Sequence, residues 1–90
     1  MTSVLDQPLG VAPQVSVRPE RFGALLYHFG TRRLSFLKDR RLLDVVERLD
    51  GSPSAREACS AAGVSETALP AFERALARLV ETDMLRERRP

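Results

Sequence analysis

The chain has 90 residues, enough for one domain with a modest core. Hydrophobic residues make up 43% of it and charged residues 29%, a balance that excludes global disorder. Fourteen lysines and arginines face twelve acidic residues, and the small formal net charge of +2 argues against a dedicated nucleic-acid binder.

Compartment can be inferred from what the sequence lacks. The single cysteine, Cys59, cannot form an internal disulfide, which fits a reducing compartment. The first fifteen residues contain Asp6 and two prolines instead of the apolar block of a secretory signal. No apolar run approaches the roughly 20 residues that a membrane span needs. We therefore expect a cytoplasmic protein without a membrane partner.

The N-terminal part of the chain predicts little regular structure. Residues 1–14 mix Ser, Gly, Pro and polar side chains without periodicity, which predicts a flexible tail. Val15 and Val17 then alternate with polar residues and predict a first strand over about residues 15–18. Pro19 is expected to end this strand, because proline cannot donate to a β-ladder.

The aromatic-rich segment from Phe22 to Lys38 predicts a β-hairpin. Its two apolar runs predict strands over residues 24–29 and 33–37, and Gly30 between them can supply the positive φ that hairpin turns need. An isolated hairpin is marginal in water, so other elements must pack against it.

Helical signals follow the hairpin. Asp39 can cap a helix over residues 40–49, and Gly51 suits its C-terminal end. Ser54 has the position of the first residue in a capping box, and it predicts a short alanine-rich helix to about Ala62.

A third helix is predicted after Gly63, beginning at Ser65 or Thr67 and running to about Asp83. Pro70 then falls in or just after the first turn, where a helix accepts proline. This β-β-β-α-α-α order predicts an α+β fold with a three-stranded antiparallel sheet followed by three helices, similar to a winged helix-turn-helix. The domain is expected to span residues 15–86, with residues 87–90 as a frayed end.

Side chains that perform catalysis or bind metals are sparse. His28 and Cys59 are isolated in separate elements, without the paired spacing of a metal site, so each is expected to be structural. No nucleophile can be placed beside His28 and no Gly-rich phosphate loop is present. The chain is therefore expected to have no catalytic residues, no metal and no cofactor.

DNA binding is the alternative that the helix-turn-helix pattern raises. A recognition helix needs polar or basic side chains on its early turns. The segment from Ser65 to Ala71 instead offers Glu66 and small residues, and no cation precedes Arg74. A small winged-helix transcription regulator remains the second hypothesis, but we expect that the chain has no nucleic-acid partner.

The last predicted strand lies at the edge of the meander, so its backbone is available for pairing. A peptide can add there as a further strand while its side chains fill an adjoining groove. The third helix can supply the groove wall through Ala75, Arg78, Leu79 and Thr82. A local basic segment either contacts an acidic partner or is a solvated hairpin end and helix start, and it consists of Arg32, Arg33, Lys38, Arg40 and Arg41. The edge can instead be covered by the chain's own tail or by a homodimer mate.

Three segments resemble a known family: VRPERFGALLYHFGTRRLSFLK, LLDVVERLDG and ALPAFERALARLVETDMLR. Together they are similar to the mycofactocin precursor peptide chaperones called MftB. These are recognition elements of ribosomal peptide natural-product pathways, related to the pyrroloquinoline quinone peptide chaperone. The resemblance extends over about residues 15–86.

The resemblance implies three strands and three helices that bind the leader of a precursor peptide between the third strand and the third helix. It also implies presentation of that peptide to a radical S-adenosylmethionine maturase. The chain has no cysteine cluster for an iron–sulfur centre, so the radical chemistry belongs to the partner. Transferred to this sequence, the implied strand positions are Arg33, Leu34, Ser35, Phe36 and Leu37.

Overall fold

The computed structural model of the chain describes residues 3–88. Within this range a short 3-10 helix at Val4–Asp6 precedes the first strand, and another at Leu49–Gly51 follows the first α-helix. The strands are β1 (Leu9–Val11), β2 (Val15–Glu20), β3 (Gly23–His28), β4 (Leu34–Leu37) and β5 (Leu85–Glu87). The helices are α1 (Arg40–Arg48), α2 (Ala55–Ala61) and α3 (Leu69–Glu81).

The main sheet is an antiparallel meander in the order β2-β3-β4. The prediction of three consecutive antiparallel strands is therefore confirmed. Pro19 does not end β2, however, since the strand continues to Glu20. The reason is that β2 lies at the edge of the sheet, where a residue without a backbone donor is tolerated.

The turn between β3 and β4 differs from the predicted one. Gly30 was expected to supply a positive φ, but Arg32 has that conformation, with φ 62°. The Arg32 N–H donates to the His28 carbonyl oxygen at 2.7 Å, and the His28 N–H donates to the Arg33 carbonyl oxygen at 2.9 Å. The loop is therefore longer than a two-residue hairpin turn, and its left-handed residue comes later.

The predicted flexible tail is largely part of the fold. Strand β1 pairs antiparallel with β5, in a register that places Leu9 opposite Glu87 and Val11 opposite Leu85. Leu5 and Leu9 are buried in the core, which explains why this segment is fixed despite its lack of periodicity. The tail prediction is thus wrong for residues 3–14, and Met1 and Thr2 lie outside the described residues.

The prediction of a frayed C-terminal end is also wrong for residues 87 and 88, which the structure describes. Glu87 belongs to β5, and the Arg88 guanidinium donates to the carbonyl oxygens of Leu9, Asp50 and Ser52. Arg88 therefore ties the last strand to the first strand and to the 3-10 helix after α1. Arg89 and Pro90 lie outside the described residues.

The helices begin where their capping residues predict, except for α3. The Asp39 carboxylate accepts a hydrogen bond from the Arg41 N–H at 2.8 Å, and the Ser54 hydroxyl accepts from the Glu57 N–H at 3.3 Å. Residue Ser65 caps only a turn, and α3 starts at Leu69, with Pro70 at its first positions. The predicted starts at Ser65 or Thr67 are therefore too early, since Pro70 fits at the start of the helix.

One core lies between the inner face of the main sheet and the helices. Ala24, Leu26 and Leu37 of the sheet pack with Val45 and Leu76 in one buried cluster. The α+β class with three helices is confirmed, and the finer winged helix-turn-helix assignment stays a prediction. Among residues 3–88, no helix has both the length and the apolar character needed to cross a bilayer.

Candidate functional site

Strand β4 is an exposed edge of the main sheet, since within residues 3–88 only β3 pairs with it. Opposed residues in an antiparallel pair alternate between hydrogen-bonded and non-hydrogen-bonded positions. The His28 N–H donates to the Arg33 carbonyl oxygen, which sets the phase of that alternation. Leu34 and Phe36, opposite Tyr27 and Leu25, therefore direct their backbone N–H and C=O groups away from β3. They form a short template for another strand.

The opposite edge of the sheet is less suited to strand addition. Pro19 has no backbone N–H, so β2 offers an interrupted row of donors. The N–H of Val15, at the start of β2, already donates to the Ala12 carbonyl oxygen at 3.0 Å. The two edges are thus chemically different, and β4 is the better template.

A groove of about 320 Å³ lies beside β4, between this strand and α3. Leu37 and Leu42 contribute its apolar floor, while Ala75 and Leu79 line the helix side. Its complete lining is Phe36, Leu37, Leu42, Arg74, Ala75, Arg78 and Leu79. The site therefore combines outward-facing backbone groups with an adjoining partly apolar groove.

The structure brings together only part of the predicted site. Of the nine positions, Phe36, Leu37, Ala75, Arg78 and Leu79 line the groove. Arg33, Leu34 and Ser35 lie along the strand edge outside the groove lining.

Thr82 has a local role at the end of α3. Its hydroxyl hydrogen-bonds to the carbonyl oxygens of Arg78 and Leu79, at 3.1 Å and 3.3 Å. It does not line the groove, and its part in peptide binding stays a prediction.

Two lining residues were missed from the sequence. Arg74 lies one turn before Arg78 on the same helix face, so helical spacing alone was sufficient to include it. Leu42 comes from α1, and its place in the groove depends on how α1 packs beneath β4. No local pattern in the sequence reports that contact.

The charges around the groove are cationic. Arg74 and Arg78 are exposed, and the groove lining contains no carboxylate. Arg33 and Lys38 are exposed at the two ends of β4. Cations bordering an apolar groove favour a ligand with both carboxylates and apolar side chains.

His28 fixes the end of the hairpin that carries β4. It is 1% exposed, and its Nδ1 accepts hydrogen bonds from the N–H groups of Gly30 and Thr31, both at 3.0 Å. Its Nε2 lies 3.0 Å from Asp83 Oδ2, beyond the end of α3. Because Nδ1 accepts two hydrogen bonds, the N–H group is at Nε2 and donates a hydrogen bond to Asp83 Oδ2. The prediction of a structural role for His28 agrees with these contacts.

Neighbouring groups influence Asp83 and Cys59 in different ways. Hydrogen bonds from Arg86 and His28 hold the pKa of Asp83 well below its usual range. Burial raises the pKa of the Cys59 thiol, which keeps it protonated at neutral pH. Across the described part of the chain, no group of three or more His, Cys, Asp or Glu side chains is arranged to hold a metal ion.

Two comparisons with known proteins point to one family. The profile described as the Peptide chaperone MftB family matches residues 8–86. The chain is 53% identical over 80 residues to a protein named Peptide chaperone MftB from Mycobacterium tuberculosis, with 89% of this chain and 73% of that one covered. It is 56% identical over 72 residues to a protein of the same name from Mycolicibacterium smegmatis, covering 80% and 71%. No solved structure is significantly similar to it.

Proposed function

The chain belongs to the peptide chaperone MftB family, and from that premise we propose that it is a non-catalytic chaperone of mycofactocin biosynthesis. It binds the leader region of the precursor peptide by strand addition at β4. It then presents the peptide, in the cytoplasm, to a radical S-adenosylmethionine maturase. The chemistry belongs to that enzyme, and the chaperone raises the local concentration of its substrate.

The observation that carries this proposal is the exposed β4 edge beside the groove of α3. Strand addition draws affinity from main-chain hydrogen bonds and specificity from pockets that take alternate side chains. Leu34 and Phe36 supply the outward backbone groups, and the groove next to them supplies such a pocket. At about 3.3 Å per residue, four residues of β4 align with a segment of similar length in the peptide.

We predict that Leu34→Pro weakens binding of the leader about tenfold, because it removes one outward N–H and places a ring at the pairing edge. The position is chosen because its N–H does not serve the β3–β4 ladder, so the sheet is preserved. The measurement is calorimetric titration with the precursor peptide encoded beside this protein, full length and leader alone.

Leu34→Ala is the matched control, since it removes the same side chain and keeps the backbone donor. It should retain more of the affinity than Leu34→Pro. Equal binding by wild type and a folded Leu34→Pro variant, judged by circular dichroism, would contradict pairing at this edge.

We also predict that Arg74→Glu with Arg78→Glu weakens leader binding at least tenfold and removes most of its salt dependence. Both guanidinium groups line the groove, so reversing them repels an acidic peptide. The control is Arg48→Glu on the surface of α1, which disturbs only an exposed pair with Asp44 at 2.9 Å. Unchanged affinity and salt dependence in the double variant would show that the groove charges do not select the peptide.

Features of the α3 start favour peptide binding over the alternative of a DNA-binding regulator. The Ser3 hydroxyl hydrogen-bonds to Glu73 on the first turns of α3, and Asp6 pairs with Arg56 at 3.0 Å. The N-terminal segment therefore occupies part of the surface that a recognition helix would turn toward DNA. Glu66, which precedes α3, is exposed and would repel phosphates. Salt-sensitive binding to duplexes from its own locus would revive the regulator hypothesis.

A further inference from the structure

The outer face of the main sheet, on the side opposite the helices, carries a continuous apolar surface. Register places Leu25 between Arg18 and Phe36, and Tyr27 between Ser16 and Leu34. The most exposed of its large apolar side chains are Phe29 at 62%, Phe36 at 59%, Leu34 at 54% and Phe22 at 46%. We define the outer sheet face as Phe22, Leu25, Tyr27, Phe29, Leu34 and Phe36.

The aromatic rings of this surface pack against one another, and the surface is separate from the core. The Phe22 and Phe36 rings have centroids 6.2 Å apart, and Tyr27 meets Phe29 edge-on at 5.0 Å. The buried side chains of Ala24, Leu26 and His28 in β3 face the other way, and α1 packs against this strand. In the part of the chain that the structure describes, Phe22, Phe29 and Phe36 stay exposed and Tyr27 is half-buried. Contiguous exposed apolar surface of this kind marks interaction sites.

Charges around the outer sheet face restrict what can cover it. Arg18 lies on the face itself, while Arg21 and Arg32 are exposed at the two hairpin ends. Glu20 pairs with Arg18 at 3.1 Å, which leaves the border predominantly cationic. A second copy docked face to face would bring arginines against arginines, which disfavours a homodimer through this surface.

We propose that the outer sheet face docks a folded protein whose contact surface is apolar at its centre and bordered by carboxylates. This inference rests on the proposed function for the identity of that protein, the enzyme that receives the peptide. The outer sheet face meets the peptide groove only along β4, where Phe36 belongs to both. The peptide lies along the edge of the sheet and the enzyme on its face, so both can be bound at once. The peptide then leaves the groove directly beside the enzyme.

The test uses Tyr27→Ser with Phe29→Ser, two substitutions on the outer sheet face that avoid every residue lining the groove. The probe is the purified maturase, titrated with the full-length chaperone in the presence of the precursor peptide. We expect about tenfold or greater loss of maturase binding, as for truncation of aromatic anchors. Binding of the leader alone should stay within about twofold of wild type.

A charge variant tests the acidic border independently. Arg18→Glu with Arg21→Glu should weaken maturase binding and flatten its salt dependence, while Arg48→Glu on α1 should have no effect. If the aromatic variant binds both the maturase and the leader as wild type does, the outer sheet face is not the docking surface. That result would leave the proposed function unaffected.

Two further outcomes separate the alternatives. A wild-type dimer that the aromatic variant converts to monomer in sedimentation analysis would overturn the inference, because a second copy would then occupy the face. Failure of the leader to bind wild type would overturn the proposed function itself.

Discussion

Gly23→Ala is expected to destabilise the protein by about 3 kcal/mol or more, the largest effect of alanine at any of the five glycines. Gly23 begins β3 with φ +147°, a conformation that side chains rarely adopt. A Cβ atom placed there would lie 1.9 Å from the Leu37 carbonyl oxygen and 2.9 Å from the Asp39 N–H nitrogen. Both neighbours are backbone atoms, so the end of β4 must move away from β3.

This effect is measured by urea unfolding, with Gly51→Ala as the matched control. A Cβ atom at Gly51 would meet nothing within 4 Å, so this variant should change the free energy of unfolding by no more than about 1 kcal/mol. Because Leu37 lines the groove, Gly23→Ala should also weaken leader binding under conditions where it is still folded. Equal stability of the two variants would contradict the close approach of β3 and β4 at Gly23.

His28→Ala is expected to cost about 3 kcal/mol of stability, through the buried volume it removes and the hydrogen bonds it breaks. The imidazole joins the β3–β4 turn to the residue Asp83 beyond α3, so its loss frees both ends of that link. Hydrogen exchange should show faster opening of the N–H groups of Gly30 and Thr31 in this variant. Chemical denaturation at neutral pH gives the stability difference.

Asp83→Asn is the control for the charge in this link. Asparagine tolerates the φ of 63° at this position and keeps an oxygen that accepts from His28, so the loss should be clearly smaller. The pKa of Asp83 is lowered in the folded protein, so its carboxylate stabilises the fold at pH values above the ordinary pKa of 3.8. That stabilisation is lost as the pH falls through the lower folded-state pKa. A loss at neutral pH as large as that of His28→Ala would assign the effect to the charge instead of the imidazole.

The parts of the fold that were predictable are those with local signals. Asp39 and Ser54 mark helix starts because their side chains compensate unpaired N–H groups within a few residues. The hairpin was predictable because two apolar runs lie on either side of a short polar turn. The β1–β5 pair has no comparable signal, since Leu9–Val11 and Leu85–Glu87 are three-residue strands whose pairing is purely tertiary.

In the candidate site too, the residues with a local signal were predictable and those placed by tertiary packing were not. The β4 edge could be inferred from strand order alone, and Arg78 from helical spacing along α3. Whether Leu42 and Thr82 line the groove depends on how the helices pack against the sheet, and no sequence periodicity encodes that packing.

Pairing of β1 with β5 has a consequence for how the chain reaches its native state. Arg88 donates to the Leu9 carbonyl oxygen across 79 residues of sequence, so this contact closes almost the entire chain into a loop. Closing so long a loop costs entropy that only other, more local contacts can offset beforehand. The hairpin and the helices should therefore assemble first, and β1 should pair with β5 last. On the ribosome, β1 must wait unpaired until β5 has been translated.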